Sequence, residues 1–265
     1  METKVNLTIA GITVQLRSRF PLIDCRREEI QSFGFCRLKN FLYRKDSNCD
    51  ITIRVRVVRR LPEITGGKKI FITRHFQDKS ENWRWTEHGS MYVYQCTLEG
   101  KEQLMLVDRS FTRVSAYVLP KEGNREVWSV LDIVYDFLQI LLINYLALYN
   151  KGIITHSVAV RDTDGSGLLF CGKSGAGKTT TARLWHRYSR ALVLNDDRVI
   201  VRKSNNGFSI HGSPWHGGFN DYLASRLEEA RLTRIFFLYH GKKNTARTDV
   251  FYFNMRIFLE GQNTL

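Results

Sequence analysis

No two of the five cysteines, Cys25, Cys36, Cys49, Cys96 and Cys171, stand in a CxxC pair, and their number is odd. Neither a disulfide framework nor a zinc site of that kind is indicated, which fits a reducing, cytoplasmic compartment. Long apolar runs are missing too: none reaches the roughly 18 uninterrupted residues of a membrane helix. The nearest candidate, Val127 to Tyr149, is broken by Asp132, Asp136, Gln139 and Asn144 and reads as a buried or half-buried helix. The opening METKVNLTIAG has no apolar stretch of signal-peptide length, and neither repeats nor low-complexity tracts are seen. No membrane partner is expected. Acidic residues are in deficit, 26 against 40 Lys plus Arg, for a net charge of +14. That excess draws anions such as nucleotides, acidic peptides or nucleic acid without choosing among them.

What is present is a chain of 265 residues, 43% hydrophobic and 25% charged, enough for one large domain or two modest ones. Residues 1–120 read mainly as short strands forming an antiparallel β domain. In ITIRVRVV, Ile51, Ile53, Val55 and Val57 share one face and Arg54 and Arg56 the other. That basic stripe is either a solvated outer face or a dock for an acidic partner. Residues 121–265 read as an α/β core, making the whole α+β. The helix before Tyr149 stops at NKG; IITHSVAV and LLFC flank the hairpin turn DGSG. A helix follows over about 178–188, then the strands ALVL, VIVRK and FSIHG. Asp221–Leu232 has helical spacing, RIFFLYHG reads as a buried strand, and the last fifteen residues stay open between helix and strand.

One motif carries chemistry outright. Gly172, Gly177, Lys178 and Thr179 satisfy G-x-x-x-x-G-K-[ST], between an apolar strand and a helix as that pattern requires. Glycines let backbone N–H groups converge on phosphate oxygens, and the positive end of the helix adds to the attraction. The residues assigned to the triphosphate of ATP are Gly172, Ser174, Gly175, Ala176, Gly177, Lys178, Thr179 and Thr180. Lys178 reaches for the β- and γ-phosphates, and the Thr179 hydroxyl is a ligand for Mg²⁺. Asp196 and Asp197 follow the strand ALVL and are expected at the C-terminal end of a strand beside the loop strand. One carboxylate would serve the metal and the other a hydroxyl nucleophile. His156 lies on the strand before the loop strand, and periodicity leaves its direction open.

The ordered set HSVAV (His156–Val160), GLLFCGKSGAGKTT (Gly167–Thr180) and VLNDDRVIV (Val193–Val201) resembles the catalytic core of HPr kinase/phosphorylase. The same loop and Asp pair occur in ATP-dependent phosphoenolpyruvate carboxykinase. The later GSPWHG, with Trp215 and His216, resembles the small HPr-kinase-like proteins found beside peptide-modification genes. The resemblance implies a P-loop core of that type, with Asp196 as general base, Asp197 supporting the metal, and His156 positioning the acid pair or the transferred phosphate. It also implies a peptide or small-protein substrate with an acceptor serine. Ser157 stands where that family has glycine, and the family's Gly-Arg-Asn segment is not found, so HPr itself falls outside what is implied. The expected function is therefore an ATP-dependent serine kinase. The alternative is a nucleotide-dependent binding or regulatory module whose basic N-terminal sheet engages an acidic partner. No nucleic-acid motif accompanies the charge, so nucleic acid is not the expected partner; self-association is left open.

Overall fold

The structure, a computed structural model, describes residues 2–23, 39–43, 48–74, 81–98, 101–119, 128–215, 217 and 228–241. His216, Lys242, Lys243, Asn244, Arg247 and the last fifteen residues lie outside them.

The first half is strands, as its alternation predicts: β1 (Thr3–Ile9), β2 (Ile12–Ser18), β3 (Leu22–Ile23), β4 (Leu42–Tyr43), β5 (Ile51–Val57), β6 (Lys68–Arg74), β7 (Glu81–His88), β8 (Met91–Leu98), β9 (Lys101–Asp108) and β10 (Arg113–Val118). All but β3 form one sheet, ordered β4-β1-β2-β5-β10-β9-β8-β7-β6. The sequence reads as antiparallel, yet β5 runs parallel to both β2 and β10, so the sheet is mixed. A parallel neighbour needs a long connection. The stretch between Ser18 and Ile51 supplies one, and the β6–β9 meander supplies the other.

Period 2 decides the faces. Ile51, Ile53 and Val55 are buried while Arg54 and Arg56 are exposed. The buried face is covered by α1 (Val130–Leu148), which follows the short β11 (Trp128–Ser129). Phe137, Leu138, Leu141, Leu142, Tyr145 and Leu146 recur at helical spacing and share one cluster with Leu7, Val14, Leu16, Ile53 and Ala116. Each such side chain contributes about 1.5–3 kcal/mol by leaving water. The helix ends where expected: Asn150 is left-handed at φ 50° and the Lys151 amide donates to the Leu146 carbonyl. Among the described residues no helix is long and apolar enough to cross a membrane. Ile200 and Trp215 from the second half join the same cluster, so the two halves share a core.

The second half contains β12 (Gly152–Arg161), β13 (Ser166–Cys171), α2 (Lys178–Ser189), β14 (Leu192–Asn195), β15 (Arg198–Ser204), β16 (Gly207–His211) and β17 (Glu229–Phe237). Its sheet runs β13-β17-β16-β15-β12-β14, and β13 also pairs with β12. The pairings therefore close a ring through β12, β13, β17, β16 and β15. The apolar cluster of Ile153, Ala159, Leu169, Leu194, Val199, Val201 and Ile210 is distinct from the one that α2 helps to form. The latter joins Ala182 with Val158, Phe170 and Val193, with Trp185 packed against it. Helical spacing misleads at Glu229–Leu232, which are strand. Pairing of β17 with β13 and β16 overrides it there; residues 218–227 lie outside the described set.

Candidate functional site

The motif loop begins where β13 ends and closes on α2. Gly175 and Gly177 sit at φ 81° and 94°, left-handed conformations that only glycine takes cheaply, and a Cβ on either would meet nothing within 4 Å. Gly172 differs: a Cβ there would come within 2.9 Å of the Leu238 carbonyl oxygen. Glycine is thus required for conformation at two positions and for close approach at the third. Gly177 caps α2 without a side-chain bond, and the first turn holds no acidic residue. The positive end of α2 is therefore not neutralised from within its first turn. The Ala176 amide is spent on the Lys173 carbonyl at 3.1 Å. Ser174 and Thr180 are exposed and Thr179 half-buried.

Lys178 is only 7% exposed. Its ammonium donates to the Gly172 and Lys173 carbonyls at 2.7 and 3.0 Å, and so lies across the loop. Burial pushes it below the usual lysine range, with Cys171 and Asp197 acting in the opposite sense. Burial in turn raises the Cys171 thiol to about 12 despite Lys178.

The aspartates meet this loop through β12. On one edge of β12, Cys171 pairs with Ser157; on the other, Asn195 pairs with Ala159 and Arg198 with His156. Asp196 and Asp197 are the break between β14 and β15, and the Ser157 amide donates to the Asp197 carbonyl at 3.0 Å. The strand carrying them is therefore not beside the loop strand, as the sequence suggests, but one strand removed. β13 and β14 are both antiparallel to β12, so their C-terminal ends still arrive at the same level.

His156 joins the two sides. Its Nε2 lies 3.2 Å from Asp197 Oδ1, with about half its side chain exposed. Burial holds its pKa below the ordinary histidine value; the charges of Lys178 and Arg198 push the same way, and Asp197 opposes them. A neutral ring donates Nε2–H to Asp197. Asp196 is different: 4% exposed, it accepts the Gly217 amide at 2.8 Å through Oδ1. A Cβ on Gly217 would sit 3.1 Å from Asp196 Oδ2, so the loop closes on that carboxylate because the residue is glycine.

Two residues were not singled out from the sequence. Asn195, fully buried, accepts the amides of Asp197 and Arg198 through Oδ1, each at 2.9 Å. Its Nδ2 donates to the carbonyls of Ser213 and Trp215 at 3.0 and 3.1 Å. One amide side chain thus shapes the Asp–Asp break and ties the Ser213–Gly217 loop to it. The signal was the Asx-turn preference of asparagine before such a break. His240 follows β17, and its Nε2 lies 2.9 Å from the Gly175 carbonyl. Only the parallel pairing of β17 with β13 brings it there. Trp215 is core, at 3% exposure.

No family model matches the sequence, and no curated protein matches it. Among the described residues no three His, Cys, Asp or Glu side chains cluster as a metal site. The oxygen groups that could serve a metal here are the Thr179 hydroxyl, half-buried on the first turn of α2, and the Asp197 carboxylate, whose charge acts on Lys178. Hard oxygen ligands, few in number, suit Mg²⁺, which takes the rest of its shell from phosphates and water.

Proposed function

We propose that the chain is an ATP-dependent kinase transferring the γ-phosphoryl group to a serine-type hydroxyl of a peptide or small protein, on a core of the HPr kinase/phosphoenolpyruvate carboxykinase type. The observation that carries this reading is the convergence of loop and aspartates on either edge of β12 at Ser157–Ala159. In it the open amides of the loop and the first turn of α2 receive the triphosphate. Lys178 exchanges the Gly172 and Lys173 carbonyls for phosphate oxygens. Thr179 and Asp197 would hold Mg²⁺, which would supply positive charge to the phosphate oxygens during transfer.

Asp196 takes the proton of the acceptor hydroxyl as its oxygen bonds to the γ-phosphorus; the bond to the bridging oxygen breaks and its electron pair leaves on ADP. His156 is a positioning residue: its contact fixes the Asp197 carboxylate. Asn195 fixes the backbone on which both carboxylates ride.

The test uses the whole chain with Mg²⁺, γ-labelled ATP and a serine-peptide library, with ATP affinity measured separately by calorimetry. Asp196→Asn is expected to slow transfer by about 100-fold or more with ATP affinity retained, and Lys178→Ala to weaken ATP itself. A wild-type chain that binds ATP and labels no serine, or an Asp196→Asn variant with full turnover, overturns the reading.

A further inference from the structure

The outer face of the nine-stranded sheet carries a row of cations. Lys4 on β1 stands opposite Arg17 on β2, Arg17 opposite Arg54 on β5, and Arg54 opposite Ser115 on β10. One pleat along, Arg113 on β10 stands opposite Thr52. Neighbouring strands lie about 4.8 Å apart, so three positive side chains on one face follow one another across roughly 10 Å. Arg17, Arg54, Arg113 and Arg109 line a groove of about 730 Å³ that reaches Leu106 and Met91.

Like charges placed directly opposite on a sheet cost stability. Relief by carboxylates would be expected, and among the described residues it is not found. Among the described residues neither Arg17 nor Arg54 has an ion-pair partner; Arg17 donates only to the Gln15 side chain. The one carboxylate among the described residues that line the groove, Asp108, is occupied by its own turn. It accepts the amides of Thr112 and Arg113 at 2.8 and 3.0 Å and the Ser110 hydroxyl at 2.6 Å. Arg113 reaches it at only 3.4 Å, and Arg109 is turned to Glu87 and Tyr92. The alternation that buries Ile51, Ile53 and Val55 fixes Arg54 outward, so the row is held rather than dispersed.

We propose that this groove docks an acidic peptide segment, whose carboxylates neutralise Arg17 and Arg54 and, further along, Arg113. A guanidinium meets a carboxylate through two parallel N–H bonds, which suits a fixed row of arginines. The width from β2 to β9, roughly 14 Å, matches four or five extended residues. Leu106 and Met91, both half-buried, offer contact to side-chain stems. Among the described residues that line the groove there is no aromatic ring to stack a base, which favours peptide over single-stranded nucleic acid. This site lies on the first sheet and does not depend on what the loop of the second sheet does.

The experiment measures fluorescence anisotropy of the full chain with three labelled probes of about ten units: alternating Glu and Ala, alternating Lys and Ala, and a single-stranded oligonucleotide. The wild type is expected to bind the Glu probe and not the Lys probe. Arg17→Gln with Arg54→Gln is expected to weaken the Glu probe about tenfold or more, while Lys203→Gln with Arg231→Gln, the same charge change at exposed sites on the second sheet, changes it less than about twofold. ATP affinity, measured alongside, stays unchanged in both variants, so failure of the groove is read separately from failure of the loop. No binding of the Glu probe, equal weakening by the two double variants, or tighter binding of the oligonucleotide through the same arginines each overturns the proposal.

Discussion

Gly177 and Gly165 offer a matched comparison. They sit at φ 94° and 84°, and a Cβ on either would meet nothing within 4 Å. Alanine at each position therefore adds no clash, only the left-handed penalty of about 1–2 kcal/mol. For a chain of this size that lowers Tm by a few degrees, roughly 2–4 °C per kcal/mol, and by similar amounts in both variants. Their places differ: Gly165 turns the β12–β13 hairpin, whereas Gly177 caps α2 at the end of the loop. A loop that escapes the strain swings the amides after residue 177 away from their common focus. Gly177→Ala is thus expected to weaken ATP about tenfold, equivalent to about 1.4 kcal/mol, and Gly165→Ala less than twofold. Thermal melting followed by circular dichroism and calorimetric titration of ATP with Mg²⁺ read the two quantities. Equal ATP affinity in the two variants would refute the assignment of the loop, whatever the melting shows.

Asn195→Ala removes the side-chain partner of the half-buried Asp197 and Arg198 amides and of the buried Ser213 carbonyl. At about 1–3 kcal/mol for a buried group left unpaired, urea unfolding should register a loss of about 2 kcal/mol or more; a loss below 1 kcal/mol contradicts this role of Asn195. His211 gives a pH signature. Burial, with Arg202 adding to it, pushes its pKa down to about 4, and Glu229 at 3.1 Å from Nδ1 is two-thirds exposed, so water weakens its counter-pull. The folded value lies below the unfolded one, so the stabilisation is complete above about pH 6.5 and drains away as pH falls toward 4, amounting to about 2 kcal/mol by pH 5. His211→Gln should narrow the difference in urea stability between pH 7.5 and pH 5 by that amount; parallel curves for variant and wild type would be the contrary result. Phe137 is 1% exposed and meets Trp83 edge-on, with centroids 5.6 Å apart. Phe137→Ala should cost about 3–5 kcal/mol and shift tryptophan emission, whereas an unchanged midpoint would mean that α1 does not anchor the sheet.

The site divides into what local chemistry announces and what only pairing reveals. The loop was legible because its glycines, lysine and threonine act within eight consecutive residues, and the flanking strand and helix follow from adjacent apolar patterns. The hairpin of β12 and β13 was equally local, set by DGSG. The position of Asp196–Asp197 was half legible. Spacing placed the pair near the loop level, but not the intervention of β12, because no short-range signal says which strand an edge will choose. His240 was invisible for the same reason: it reaches Gly175 through a parallel pairing formed across more than sixty residues of chain. Glu229–Leu232 carried a helical pattern that two flanking strands overruled.

The charge of the chain shows the same division and bears on how anions are recognised. A net +14 spread evenly would give weak, salt-sensitive attraction to any polyanion. The cations are not spread evenly. Lys178 is buried among carbonyls at the start of a helix, where its charge is little screened and, in the proposed function, serves one compact anion. Lys4, Arg17 and Arg54 come from three separate strands and form a row only because β1, β2 and β5 adopt one register. A slip of one residue in β2 would turn Arg17 to the core face and put Leu16 outside. Burial of Leu16 at 0% exposure forbids that slip, so the packing of the inner face fixes the spacing of charge on the outer one. Salt should accordingly weaken the Glu probe more steeply than ATP, since exposed arginines are screened and the buried lysine is not.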